Sequence, residues 1–164
     1  MAKNEAVFTK DKEKKLLTVS RSFDAPLDEV WRAWSDSSIL DLWWAPKPYR
    51  AETKSMDFRD GGRWLYAMVG PEGDKQWCRV DYTKVVAPES VSTTVMFCDE
   101  KGNENTEFPK MYWNQLFRQE GKQTTVFIEI SFDSEADLET YLSMGFQEGF
   151  TAGLVNLDEY LAGK

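Results

Sequence analysis

"MGFQEGFTAGLVNLDEYLAG", residues 144–163, decides how the rest of this chain must be arranged. Phe146, Phe150, Leu154, Leu157 and Leu161 recur at steps of three and four, so they share one face of an α-helix. That stripe needs an apolar surface to cover it, and most of the preceding chain reads as β-strand. The order is a strand, two helices, a meander of strands and then this long helix. It predicts an α+β fold in which a curved antiparallel sheet wraps around the C-terminal helix, which lies across the concave side.

Working outward from the helix, the strands show the period-two pattern of a half-buried sheet. "TTVFIEISF" (124–132) points Val126, Ile128, Ile130 and Phe132 inward and Glu129 out, and pairs about "EGKQ" with "MYWNQLFRQ" (111–119). In the latter, Met111, Trp113 and Phe117 share one face and Tyr112 and Leu116 the other, which predicts either a strand covered on both faces or an exposed apolar patch. "RWLYAMVG" (63–70) and "QWCRVDYTKVV" (76–86) form a hairpin through "PEGD", and "AETKSMDF" (51–58) enters it through the paired glycines of "RDGG". "SVSTTVMF" (90–97) is a further strand, followed by the polar loop "DEKGNEN".

At the N-terminal end, "KLLTVSRSF" (15–23) places Leu17, Val19, Arg21 and Phe23 on one face. An amphipathic helix follows in "DAPLDEVWRAWSD" (24–36), with Asp24 as its expected N-cap and Leu27, Val30, Trp31 and Trp34 along its apolar side. A short second helix, "SSILDLWW" (37–44), is stopped by Pro46 and Pro48. Residues 1–13 are expected to be a flexible arm and 14–164 a single domain.

Composition narrows the function. The 164 residues carry seven Trp, ten Phe and six Tyr, enough to fill a core and still line a pocket. There is no histidine, which removes Ser-His and Cys-His nucleophilic sites and the usual histidine zinc sites. Net charge is −8, and residues 133–164 hold seven acids against Lys164. Such a surface repels phosphate backbones and anionic membranes. The lysines of "KDKEKK" (10–15) are interrupted by acids and read as part of a solvated arm. No apolar run is long enough to span a bilayer, and the charged N-terminus lacks the apolar region of a secretory signal. Cys78 and Cys98 sit inside apparent strands, away from metal-ligand spacing, and read as free buried thiols in a reducing cytoplasm.

"RSFDAPLDEVWRAWSDSSILDLWWAP", "DFRDGG" and the terminal "MGFQEGFTAGLVNLDEYL" together resemble the activator of heat-shock protein 90 ATPase homologue-like family. That family lies within the START-related, birch-pollen-allergen-type helix-grip superfamily. The likeness runs from about Leu16 to Leu161 and rests on Arg21, Phe23, Ala25, Pro26, Val30, Trp31, Trp43, Trp44, Pro46, Asp57, Gly61, Gly62 and Gly145. It implies a helix-grip fold with a cavity between sheet and last helix, where superfamily members bind lipids, sterols, polyketide-like aromatics or hormones and a few act as cyclases. Co-chaperone activity in the family belongs to larger members with an additional N-terminal domain. One departure is Phe146, where the family pattern leads one to expect Trp.

Against that framework, Trp64, Tyr66 and Met68 alternate on one strand and Cys78, Val80 and Tyr82 on the next. Facing a cavity, they would make an apolar wall with hydroxyl tips; facing each other, they would fill a core. Trp113 and Ile128 add inward groups from the last strands, and Phe146 and Phe150 close the space from the helix. Trp43 is expected to seal the second helix to the core, while Trp44 lines the cavity mouth. Arg21, alone among apolar neighbours, needs an acid beside it, for which Asp57 is the candidate; it reads as a structural ion pair or as an anchor for a ligand carboxylate. Gly145, Gly149 and Gly153, four apart, either leave room for a ligand or let backbones pack closely. The leading expectation is a cytoplasmic protein that binds a small hydrophobic or aromatic molecule, with no cofactor and no metal, as a monomer or weak homodimer. A chaperone-partner or stress-response module without a ligand is the alternative, and a cyclase-like enzyme the second, although no catalytic constellation is evident. A cavity of roughly 300 Å³ or more would favour binding or catalysis over the interaction module.

Overall fold

The computed structural model describes residues 5–163. Their elements run β1 (Val7–Asp11), β2 (Leu16–Phe23), α1 (Leu27–Ser35), α2 (Ser37–Trp43), β3 (Arg50–Met56), β4 (Arg63–Val69), β5 (Lys75–Val86), β6 (Ser90–Phe97), β7 (Met111–Glu120), β8 (Gln123–Ser131), α3 (Glu135–Ser143) and α4 (Phe146–Ala162). The strands form one antiparallel sheet in the order β1-β2-β8-β7-β6-β5-β4-β3. Register shifts between Thr53 and Ser55 and between Tyr82 and Lys84 interrupt the ladders. Such bulges bend and twist a sheet.

The alternation read from β2 holds in three dimensions: Leu17, Val19, Arg21 and Phe23 are all buried. From α4, Phe150, Leu154 and Leu157 enter the same core, with Phe146 and Leu161 packed at its edge. Arg21 is pinned by an acid, but not by Asp57. Its guanidinium meets Asp158 on α4 and donates to Ser22 O at 2.6 Å, while Asp57 pairs with Arg59 at 2.8 Å. The buried charge therefore ties the sheet to the last helix.

Several expectations need correction. The arm expected at 1–13 contains β1, whose residues Val7–Asp11 pair with Ser20–Leu16; residues 1–4 of that arm lie outside the described residues. "KDKEKK" is the end of β1 and the turn into β2, with Lys10 and Lys12 reaching Glu139 at 3.2 and 3.6 Å. Lysine on an edge strand masks a strand pattern while discouraging edge-to-edge pairing. Asp24 does not cap α1. Pro26 holds the N-cap position, and Asp24 instead accepts from Gln123 Nε2 at 2.7 Å. Of the two arrangements expected for β7 it takes the exposed one, and β4 is the strand buried on both faces, with Leu65 and Ala67 as well as Trp64 and Tyr66 buried and Leu65 near Gly102, whose O accepts from Arg79 Nη1. On β7, Leu116 is exposed and Tyr112 half-buried.

The "RDGG" reversal sits between β3 and β4. Gly61 has φ +79°, and its N–H donates to Tyr82 O at 2.8 Å, while Gly62 O accepts from Tyr82 N at 3.0 Å. A Cβ on Gly62 would stand 1.9 Å from Asp57 O, a backbone atom that cannot swing aside. Gly62→Ala is therefore expected to destabilise the fold by about 1–3 kcal/mol, as overpacking does. Urea unfolding followed by far-UV circular dichroism measures it; an unchanged midpoint would contradict this account of the turn.

Candidate ligand-binding site

The site begins at the end of α2. Asp36 caps that helix, accepting from Ser38 N at 2.9 Å, and the Ser38 hydroxyl bonded to it holds its carboxyl below the usual range. At the other end, the last carbonyls of a seven-residue helix have few partners within the helix. Asn156, buried on α4, supplies donors: its Nδ2 lies 3.0 Å from Ala45 O and 3.4 Å from Trp43 O. Gly153 lets α4 approach this close, since a Cβ there would meet Trp44 O at 3.1 Å and Trp43 O at 3.3 Å. Trp43 turns into the core, fully buried, and donates to Ala33 O at 2.9 Å. Trp44, the C-cap residue, turns the other way, toward the space between α4 and the sheet.

One helical turn before Gly153, the same face of α4 no longer touches backbone. A Cβ on Gly149 would meet nothing nearer than Pro46 Cγ at 3.9 Å. Gly145 ends α3 and starts α4 with φ +87°, a left-handed conformation suited to glycine. Between these turns, α3 and the sheet lies a chamber of about 240 Å³. Trp44, Tyr66, Trp113, Phe146 and Phe150 form its aromatic walls, and Met68, Met96, Met111 and Met144 fill between them. Among the described residues, no charged side chain lines it. Phe146 and Phe150 stack at 5.7 Å, and Phe150 meets Trp113 edge-on at 5.5 Å.

The few polar atoms of the chamber are held neutral. Trp44 Nε1 donates to Tyr66 Oη at 2.8 Å, and burial, followed by the adjacent Cys78, raises the Tyr66 phenol well above its ordinary 10. Burial pushes the Cys78 thiol up to about 12. Tyr141 is likewise raised by burial, and its hydroxyl donates to Pro109 O at 2.6 Å.

The residues singled out from sequence divide among three places. Trp44, Tyr66, Met68, Cys78, Trp113, Phe146 and Phe150 line the chamber. Trp64, Val80 and Tyr82 do not; with Phe58 they border a smaller inner hollow of about 30 Å³, beneath α1 and α2. Ile128 borders neither and is closed in the core at 2 % exposure, on a strand that packs against α1. Arg21 also borders neither, its guanidinium being spent on Asp158. Tyr141, Met144 and Met96 were missed. The first two belong to α3 and its end, whose signal was available: Ser134 and Asp137 form a capping pattern, with Ser134 Oγ accepting from Asp137 N at 3.1 Å, and Leu138, Tyr141 and Leu142 follow at helical spacing.

The two interior glycines of α4 should respond oppositely to substitution. Gly149→Ala is expected to stabilise the protein by about 0.5–1 kcal/mol, the helix-propensity difference, because its methyl enters open space. Gly153→Val should cost about 1–3 kcal/mol by pushing α4 off α2. Thermal and urea unfolding of the two variants decides the matter. Stability should also depend on alkaline pH. The unfolded thiol ionises at about 8.5, whereas native Cys78 stays protonated to about 12. The stabilisation is complete below the unfolded value and is lost as pH rises through the native one, at up to about 1.4 kcal/mol per pH unit. Urea midpoints at pH 7, 8.5 and 10 should be flat and then fall, with part of the fall abolished in Cys78→Ala.

Comparison with known proteins agrees with this architecture. The family model described as activator of Hsp90 ATPase homolog 1-like protein matches residues 24–162. A solution structure of an Arthrobacter aurescens protein is 27% identical, covering 96% of this chain and 92% of that one at a TM-score of 0.90. A Mycobacterium smegmatis crystal structure is 29% identical, covering 95% and 96% at a TM-score of 0.87. At 21% identity, with 90% and 97% covered, the AHSA1 protein of Silicibacter pomeroyi shares the fold at a TM-score of 0.70. Comparison with curated proteins gives no match. A family match across most of the chain, on a curved eight-stranded sheet that grips its last helix, makes this protein a member of the activator of Hsp90 ATPase homolog 1-like family.

Proposed function

We propose that the protein binds a small, uncharged, mainly apolar molecule in the chamber between α4 and the sheet. The observation that carries this reading is the chamber itself: about 240 Å³ walled by aromatic and methionine side chains, with no charge among the described residues. Its volume is somewhat below the roughly 300 Å³ at which pocket-bound ligands usually begin, which points to a small occupant. An apolar cavity of about 150 Å³ is enough for benzene, so one further fused ring is a reasonable limit here. Four methionines around rigid aromatics let the walls adjust to shape without polar cost. An anionic ligand head inside would lack a countercharge.

The chemistry of the lining supports holding a molecule rather than attacking it. A thiol at about 12 is almost wholly protonated at neutral pH and is a poor nucleophile. The raised phenols of Tyr66 and Tyr141 likewise remain neutral donors or acceptors. Entry fits the gap between Pro46 and the first turns of α4, where Met144, Phe146 and Gly149 are partly open to solvent. Two free thiols suit a reducing, cytoplasmic setting.

The test is a heteronuclear NMR titration with 2-ethylnaphthalene, an uncharged bicyclic probe, alongside thermal unfolding. Shifts should concentrate on the Trp44 and Trp113 indoles and the amides of residues 144–150, with a rise in Tm. Gly149→Leu, which fills the chamber from the helix side, should remove both responses while remaining folded, and 2-naphthoate should bind at least about tenfold more weakly. Resonances that ignore naphthalene, indole and 2-ethylnaphthalene alike would end this proposal.

A further inference from the structure

The indole groups around the two hollows are unequally served. Trp43, Trp44 and Trp64 donate to Ala33 O, Tyr66 Oη and Thr53 Oγ1 at 2.9, 2.8 and 3.0 Å. The indole N–H groups of Trp34 and Trp113 have no acceptor among the described residues. Both side chains are more than nine-tenths buried, at 6% and 4% exposure. An unpaired buried donor is among the costlier features a core can carry. The rings packed edge-on nearby, Trp43 at 4.8 Å from Trp34 and Phe150 at 5.5 Å from Trp113, offer at most a weak π acceptor.

Both tryptophans border the inner hollow, and that hollow adjoins the chamber. Trp44, Val95 and Trp113 are walls of both. The inner space is about 30 Å³, too small for a ring and large enough for one oxygen atom with its carbon. Its other polar walls are the buried side chains of Thr93 and Gln115 and the hydroxyl of Tyr82, none of them charged. An indole N–H only donates, so what it lacks is an acceptor.

We infer that the inner hollow is an oxygen subsite: the molecule held in the chamber carries a carbonyl oxygen that projects past Trp44 and accepts from the Trp34 and Trp113 indoles. The inference rests on the chamber being a binding site. It adds the selection rule, which is an uncharged ring system with one acceptor at its inner end. A carboxylate would find no cation there, and a hydroxyl would have to use its oxygen rather than its proton.

A matched pair of probes tests this on the whole protein: 2-acetylnaphthalene and 2-ethylnaphthalene, of nearly the same shape, differing by the carbonyl. Without a donor the ketone would bind more weakly, since its oxygen gives up water for nothing. With both donors it should bind about tenfold more tightly. In the ketone complex the Trp34 and Trp113 Nε1–H proton resonances should lie downfield of their positions in the hydrocarbon complex. Trp34→Phe, which does not line the chamber, should remove most of the ketone's advantage while leaving hydrocarbon affinity within about threefold, and Trp113→Phe should bring the ratio of the two affinities toward one whatever it does to each of them. Should either variant fail to fold, the wild-type indole resonances decide. Equal affinity for the pair in the wild type, as when a retained water already serves the donors, overturns the subsite, as does an advantage that survives both substitutions. In those cases the chamber reading stands; if the folded protein binds neither probe, the chamber reading falls as well.

Discussion

The contact between the end of α2 and the middle of α4 is the constraint on which the rest depends. A short helix ends with carbonyls that need donors, and α4 brings Asn156 to them. The approach is close because Gly153 has no side chain to hold the backbones apart. With α4 clamped there, and with Arg21 of β2 gripping Asp158 one turn beyond Leu154, the helix has a fixed height and direction over the sheet. Removing water from these polar groups is tolerable only because each one meets a partner.

That clamp also explains why the core is not filled throughout. Near Gly153 the helix lies against α2, and beneath its last turns Leu154 and Leu157 close the core completely. Toward its N-terminus the support changes from helix backbone to the large rings of Trp44, Trp113, Phe146 and Phe150. Rings that meet edge-to-face are rigid and cannot collapse into the space between them, so a chamber persists where aliphatic side chains would have repacked. The three glycines of α4 thus have separate jobs. Gly145 makes the turn, Gly149 leaves a wall bare, and Gly153 permits contact.

Much of the strand pattern was legible before any coordinates. Seven of the strands are legible in the sequence, most plainly β2 and β8, where one buried face demands period-two alternation, and the apolar stripe of α4 follows from its 3.6-residue period. The misses have physical causes. The alternation of β1 is hidden by lysines that protect an edge, and only Phe8 among its residues packs on the core. Helix α3 mixes polar and apolar residues with little contrast, and its capping pattern was the signal overlooked. Arg21 was correctly seen to need an acid, yet Asp57 and Asp158 are both plausible from composition, and only the fold places one of them beside it.

By itself, the amino-acid sequence determined the class of fold, the family and the aromatic character of the interior, because periodicity, glycine placement and the supply of aromatics are local properties of a chain. It could not separate wall from filler. Trp64, Val80, Tyr82 and Ile128 carry the same inward alternation as Tyr66 and Cys78, and a strand pattern says which face a residue takes but not what stands opposite it. What stands opposite is set by where α1, α2 and α4 cross the sheet, and those positions come from contacts between residues more than a hundred apart, such as Asn156 with Trp43 and Arg21 with Asp158. The chamber, its inner hollow and the two indoles without acceptors are therefore products of the tertiary structure alone.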